Sequence, residues 1–109
     1  MGNNIIEMVD KSKKVNSKIV SLHRMLILFS LEELIEGSTY RDLKAGLEMD
    51  DGILFSNLAV LEDMCYVKKE EKTNLDGKNL TVFNITEDGK NEVKKLRSWL
   101  EEIIKGESK

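Results

Sequence analysis

The sequence is poor in the residue types on which most enzymes and metal sites depend. Its 109 residues include one cysteine, one histidine and no proline, and only 6% are aromatic. A single cysteine excludes an internal disulfide, which favours a cytoplasmic protein. One histidine and one cysteine cannot supply the four nitrogen and sulfur ligands of a usual zinc site. We therefore expect neither a metal nor a cofactor.

Further absences narrow the class of protein. The sequence has no glycine-rich phosphate loop, and His23 lies in an apolar stretch, where a packed histidine is commoner than a catalytic base. The longest apolar run, residues 25–29, is far too short to cross a membrane. The first residues lack the apolar core of a secretory signal. These features predict a non-enzymatic protein with no catalytic residues and no membrane contact.

What the sequence does contain is enough for one folded domain. Hydrophobic residues make up 40% of the chain and charged residues 34%. Residues 1–16 are predicted to form a polar N-terminal extension, with residues 17–109 as the domain. Asn16 or Ser17 is expected to cap a helix that runs to about residue 35 and is apolar on most sides, as in a buried central helix. Gly37 is predicted to end it in the left-handed conformation.

Residues 40–64 have the pattern of two short helices joined by a tight turn. Leu43 and Leu47 are four residues apart and share one face of the first helix. The second helix carries an apolar stripe made of Leu54, Leu58 and Leu61. Asp50 or Asp51 is suited to cap that helix. This pattern predicts a helix-turn-helix.

The rest of the chain predicts a β-hairpin and a long final helix. Two strand-like segments at about residues 66–85 flank Asp76-Gly77, a hairpin turn signal, so they form a wing behind the helix-turn-helix. Thr86 is expected to cap a helix over about residues 87–105. Its apolar seam packs on the first helix of its own chain, on a second copy, or on both, and we expect dimerisation. The predicted dimer interface is Leu22, Leu26, Val93, Leu96, Trp99, Leu100 and Ile103.

Three short strings add a family resemblance to this pattern. DGILFSNL at residues 51–58, continued by LED and YV, is similar to a pattern found in winged helix-turn-helix transcriptional regulators. FNITEDGK at residues 83–90 and HRMLIL at residues 23–28 resemble two more. The chain therefore resembles the MarR, ArsR and PadR types of regulator, and most closely a small archaeal and bacterial winged-helix group. The implied class is mainly α with a small β-hairpin wing.

The resemblance implies a homodimer that binds double-stranded DNA, with the second helix of the motif in the major groove. Ser56, Asn57 and Tyr40 would then contact the bases. The phosphates would be held by Arg41, Lys44, Lys68, Lys69, Lys72 and Lys78. An ordinary solvated hairpin edge explains the lysines of the wing about equally well. No group of polar residues marks a site for a small-molecule effector.

The charge distribution argues against tight DNA binding and supports an alternative. Residues 32–63 carry nine acidic and two basic residues, and no lysine or arginine lies between Ala45 and Val67. In the alternative, the motif is a protein-interaction module that docks a partner through an apolar patch made of Phe55, Ala59 and Val60. Phe55 could instead fold back into the core. Cys65 is expected to be a small packed thiol, with redox sensing as the other possibility.

Overall fold

The computed structural model describes residues 2–107, and the side chains of residues 4–105. Within that range the chain forms five α-helices, one 3-10 turn and three strands. They are α1 (Gly2–Ser12), the 3-10 turn (Ser17–Ile19), α2 (Leu22–Glu33), β1 (Ser38–Thr39), α3 (Tyr40–Leu47), α4 (Asp51–Asp63), β2 (Val67–Thr73), β3 (Asn79–Ile85) and α5 (Glu87–Glu107). This order confirms the predicted class and winged helix-turn-helix architecture. Met1 and residues 108–109, at the ends of the two predicted regions, lie outside the described residues.

The wing is an antiparallel hairpin of β2 and β3, and β1 pairs with the other edge of β3. Its turn follows the predicted Asp-Gly signal, since Gly77 has a φ of 83°. The Asn74 side-chain oxygen accepts hydrogen bonds from the backbone N–H groups of Asp76 (3.0 Å) and Lys78 (2.9 Å). Local turn chemistry therefore fixes the hairpin register.

Short polar side chains cap α3 and α5, whereas the residue at the cap position of α4 makes no such bond. The Thr39 hydroxyl accepts a hydrogen bond from the Asp42 N–H (3.1 Å) at the start of α3. The Thr86 hydroxyl accepts one from the Gly89 N–H (3.0 Å) at the start of α5, as the sequence predicts. At α4, Asp50 occupies the cap position, but its side chain makes no capping hydrogen bond.

The helix predicted over residues 16–35 is interrupted. Asn16 caps only the 3-10 turn, by accepting a hydrogen bond from the Lys18 N–H (3.0 Å). Ser21 then starts α2, because its hydroxyl accepts a hydrogen bond from the Arg24 N–H (3.2 Å). This side-chain bond competes with the backbone hydrogen bonds that a continuous helix would need. The helix ends at Glu33, and Gly37 reaches a φ of 82° beyond it. The predicted continuous helix is therefore wrong at its start, whereas its end falls within two residues of the predicted one and Gly37 is left-handed as predicted.

The predicted polar extension is mostly helical and packs on the body of the protein. Helix α1 lies along α5, where Lys11 Nζ is 2.9 Å from Glu102 Oε1. After α1, Val15 enters the core, and the Asn16 N–H donates a hydrogen bond to Glu92 Oε2 (2.7 Å). These contacts join the first 16 residues to the last helix.

The core lies between α2, the helix-turn-helix, the wing and the first half of α5. Its fully buried side chains are Ile19, Ile27, Leu28, Leu31, Leu54, Leu61, Val93 and Leu96. Burial of each contributes about 1.5–3 kcal/mol to folding. One face of α4 is anchored in this core, so the opposite face is held rigidly toward solvent.

Candidate nucleic-acid interface

The outer face of α4 is the surface that a DNA-binding helix-turn-helix would present. Leu54, Leu58 and Leu61 point into the core. Residues on the opposite side are exposed, and Phe55 keeps 70% of its surface accessible. The rest of this outer face consists of Gly52, Ser56, Ala59 and Asp63. It is therefore small, apolar and acidic, with no basic side chain of its own.

The side-chain amide of Asn57 is already engaged within the protein. Its Nδ2 donates to the Ile53 carbonyl (2.8 Å), and its Oδ1 accepts from Arg24 Nε (2.9 Å). Asn57 is half-buried on the side of α4 that faces α2. Each end of the amide thus makes one hydrogen bond within the protein, which fixes its orientation and leaves one further donor or acceptor site at each end.

The other two residues predicted to contact bases lie closer to the exposed face. Ser56 Oγ donates to the Gly52 carbonyl (2.8 Å), which leaves its lone pairs free to accept a hydrogen bond. Tyr40 Oη donates to the Asp51 carbonyl (3.0 Å) and lies 3.3 Å from Asp51 Oδ1. Burial and the Asp51 carboxylate raise the pKa of the Tyr40 phenol above its ordinary value.

Four of the six predicted phosphate contacts lie beside carboxylates. Lys44 is 3.2 Å from Asp51, Lys68 is 3.8 Å from Glu70, Lys69 is 4.0 Å from Glu62, and Lys72 is 3.5 Å from Glu36. All four lysine side chains remain between 40% and 57% exposed. Exposed ion pairs of this kind are weak, so a phosphate could replace the carboxylate.

Arg41 and Lys78 differ from those four lysines. Both are exposed, Arg41 on α3 and Lys78 at the turn of the wing. Neither side chain forms an ion pair within the described part of the chain. They are the two predicted phosphate contacts that need no rearrangement to meet an anion.

A groove runs between α4 and the wing, and we call it the wing groove. Its volume is about 500 Å³. It is lined by Tyr40, Phe55, Leu58, Ala59, Glu62, Lys69, Thr81 and Phe83. Of the predicted apolar patch, Phe55 and Ala59 line this groove, and docking of a partner there stays a prediction. Val60 is half-buried on another side of α4 and does not line it, because it lies 100° around the helix from Ala59.

Arg24 is a structural residue that sequence reasoning missed. Besides the bond to Asn57, its Nη1 donates to the Lys18 carbonyl (2.6 Å). One guanidinium thus joins α2, α4 and the 3-10 turn. The only local signal was a basic residue near the start of an otherwise apolar helix. Its partner Asn57 is 33 positions away, which no local pattern reveals.

The predicted dimer residues fall into two groups. Val93 and Leu96 are fully buried in the core of their own chain, so they have no surface to offer a partner, and this part of the prediction needs correction. Leu22 is 66% exposed and Leu26 is 38% exposed. Trp99, Leu100 and Ile103 are half-buried along α5. These five remain candidates.

The outer side of α1 adds an apolar surface that the sequence did not single out. Ile5 and Ile6 are 58% and 60% exposed, although α1 packs on α5. The docked side of α1 instead carries Lys11, which contacts Glu102. Helix α1 of the same chain thus covers part of the apolar seam of α5. The outer side of α1 presents a further apolar face to solvent.

Within residues 2–107, no cluster of three or more His, Cys, Asp or Glu residues is placed to bind a metal ion. None of the helices described there is long and apolar enough to span a bilayer. Cys65 is a free, exposed cysteine just after α4, not the packed thiol that we expected. Its exposure results from the turn that ends α4, where Cys65 has a φ of 63°.

Comparisons with known proteins agree with this architecture. Residues 23–104 match the family model described as the winged helix DNA-binding domain. A transcriptional regulator homologue from Pyrococcus horikoshii OT3 is similar in structure, with a TM-score of 0.68, 24% identity, and coverage of 95% of this chain and 96% of that one. A PadR-like transcription factor from bacteroid fragilis gives a TM-score of 0.64 at 18% identity, covering 79% and 89%. No similar curated protein was found. At these identities the two structures establish a shared fold.

Proposed function

The chain belongs to the winged helix DNA-binding domain family, and from that premise we propose that it is a transcriptional regulator that binds duplex DNA as a homodimer. The observation that supports this most is the family match, which spans α3, α4 and the whole wing. The family consists of DNA-binding domains and not of enzymes. Among regulator types we favour the PadR type, because a structural neighbour bears that name. The MarR type is a related but different family.

In this proposal α4 enters the major groove with its exposed face toward the bases. Ser56 and Tyr40 are the polar groups best placed for contact, through the free lone pairs of the Ser56 hydroxyl and through the Tyr40 phenol. We assign Asn57 a supporting role, because Arg24 and the Ile53 carbonyl occupy its amide. Few direct hydrogen bonds to bases would result, so sequence preference would depend strongly on DNA shape.

Affinity would come mainly from the basic residues around that face. Arg41 and Lys78 form no ion pair with any described residue, and they would contact phosphates first. Lys44, Lys68, Lys69 and Lys72 would add contacts by exchanging their carboxylate neighbours for phosphates. A homodimer would double every phosphate contact. We propose a cytoplasmic location, where a bacterial or archaeal regulator meets its DNA.

The test is DNA binding by fluorescence anisotropy, with a labelled duplex taken from upstream of the chain's own gene. Binding is measured from about 50 to about 200 mM salt, the range over which phosphate contacts weaken strongly. We expect affinity to fall with salt. For Arg41→Ala/Lys78→Ala, we expect the slope of log K against log salt to become shallower by about 0.9 for each lost phosphate contact.

The matched control is Lys13→Ala/Lys94→Ala, which removes the same charge from the segment after α1 and from α5. Both lysines are exposed and lack an ion-pair partner among the described residues. If both double variants weaken binding equally, the effect is one of net charge and the assigned contacts are wrong. Absence of binding at low salt by the folded wild-type chain would overturn the proposed function.

A further inference from the structure

The wing groove has the shape and lining of a site for one bulky apolar side chain. Phe55 forms its exposed rim and Phe83, 6% exposed, its floor, while Tyr40 lies 6.4 Å from Phe83 between ring centroids. A volume of about 500 Å³ falls in the range of ligand sites. A large exposed aromatic beside an apolar cleft is unusual on a surface that meets only water.

The rim of the groove is acidic. Glu62 lines it, and Asp51 and Asp63 each lie four residues along α4 from a lining residue, Phe55 and Ala59 respectively. Glu71 accepts a hydrogen bond from Thr81, another lining residue (2.6 Å). Four carboxylates therefore surround the opening.

Two lysines stand among these carboxylates, and each is already paired. Lys44 is 3.2 Å from Asp51 and Lys69 is 4.0 Å from Glu62. The local balance remains negative by two charges when both are counted against Asp51, Glu62, Asp63 and Glu71. The groove itself therefore favours a cationic occupant over an anionic one, whereas DNA phosphates would meet the basic residues around it.

We propose that the wing groove docks a basic protein segment whose bulky apolar side chain inserts beside Phe55 and whose Lys or Arg residues pair with the rim carboxylates. The apolar cleft favours the bulky side chain of the segment, and the negative charge of the rim favours basic residues on either side of it. Because docking covers the outer face of α4, the segment and DNA exclude each other. That last consequence rests on the proposed function, whereas the docking itself does not.

The experiment pans a phage-displayed library of random twelve-residue peptides against the purified full chain at moderate salt. We expect the enriched peptides to carry net positive charge and at least one Trp, Phe, Leu or Met. Their affinities are then measured by anisotropy for wild type and for Phe55→Gln, where a loss of at least tenfold is expected. Leu75→Gln is the matched control, because Leu75 is also an exposed apolar residue but lies in the turn of the wing.

A second variant tests the charge of the rim. Asp51→Asn/Asp63→Asn should weaken binding of the enriched peptides and make it less dependent on salt. Circular dichroism of each variant establishes that it is folded. Enriched peptides that lack positive charge, or that bind Phe55→Gln and wild type equally, would overturn the proposal, as would a failure to enrich any peptide.

Competition with labelled DNA separates the two proposals. Peptides that bind through Phe55 and displace DNA support both. Peptide binding with no DNA binding leaves the docking site in place and overturns the proposed function. DNA binding with no Phe55-dependent peptide leaves the proposed function in place and overturns the docking site. A peptide that binds through Phe55 without displacing DNA overturns mutual exclusion.

Discussion

At the scale of single residues, both helices of the helix-turn-helix end in a left-handed residue that is not glycine. After α4, the Cys65 N–H donates to the Glu62 carbonyl (2.9 Å) and the Tyr66 N–H to the Leu61 carbonyl (3.0 Å). This is the Schellman arrangement, in which glycine usually occupies the position of Cys65. Glu48 closes α3 in the same way, with a φ of 53°. Each residue stores backbone strain that glycine would relieve.

We expect Cys65→Gly to raise the free energy of unfolding by about 0.5–1 kcal/mol. The left-handed conformation costs an L-residue about 1–2 kcal/mol, and the larger entropy of unfolded glycine offsets part of that gain. Urea denaturation measures the change. Cys65→Ala is the control, because it removes the thiol but keeps the strain, and it should be nearly neutral. A stabilisation by alanine equal to that by glycine would show that the thiol, not the φ angle, is responsible.

Residue roles could be predicted where the partner is local in sequence. Thr86 as a helix cap and Gly77 in the hairpin turn follow from rules that span four residues. The role of Asn57 could not be predicted in that way, because Arg24 reaches it from a distant helix. The candidate site is limited in the same way. The acidic character of the outer face of α4 could be predicted from the sequence, but the carboxylates that lie beside the wing lysines could not.

At the scale of elements, α1 shows how a polar segment becomes part of the fold. Glu102 is 4% exposed, and its carboxylate contacts Lys11 (2.9 Å) and Lys105 (3.5 Å). The hydrogen bond from Lys11 lowers the pKa of Glu102, and the same bond raises the pKa of Lys11. No periodicity in residues 1–16 indicates this ion pair, because it depends on the distant end of α5.

Docking of α1 on α5 should therefore weaken in acid. Because the folded pKa of Glu102 is lowered, its contribution is complete above the ordinary glutamate pKa and is lost as pH falls through the folded value. The raised pKa of Lys11 makes its contribution complete below the ordinary lysine pKa and lost at still higher pH. We expect hydrogen-exchange protection factors of α1 amides to fall between about pH 5 and pH 3, ahead of those in α4.

Lys11→Met/Glu102→Gln is the variant that tests the origin of this pH dependence. It removes both titrating groups and keeps side chains of similar length, so α1 protection should vary much less over the same range. Protection in α4 serves as the internal reference in both proteins. A variant whose α1 loses protection at the same pH as wild type would assign the effect to other carboxylates.

At the scale of the whole molecule, the described chain is elongated, measuring 58 × 26 × 24 Å. Six exposed apolar side chains lie on α1, α2 and α5: Ile5, Ile6, Val9, Leu22, Leu26 and Ile104. A monomer gains nothing from presenting so many of them to water. Burial against a second copy would remove them from solvent and place two winged helices on one DNA duplex.

We expect the 12.5-kDa chain to behave as a dimer in size-exclusion chromatography with light scattering, and Leu22→Glu or Ile6→Glu to dissociate it. A symmetric dimer carries each substitution twice. A loss of about 1.5 kcal/mol per copy would therefore raise the dimer Kd by about a hundredfold. Leu75→Glu, on a still more exposed leucine in the turn of the wing, should leave the dimer intact. If only Ile6→Glu dissociates the dimer, α1 forms the interface and the predicted contribution of Leu22 is wrong. A wild-type chain that is monomeric would contradict the dimer itself. A single winged helix would then bind DNA with half the phosphate contacts.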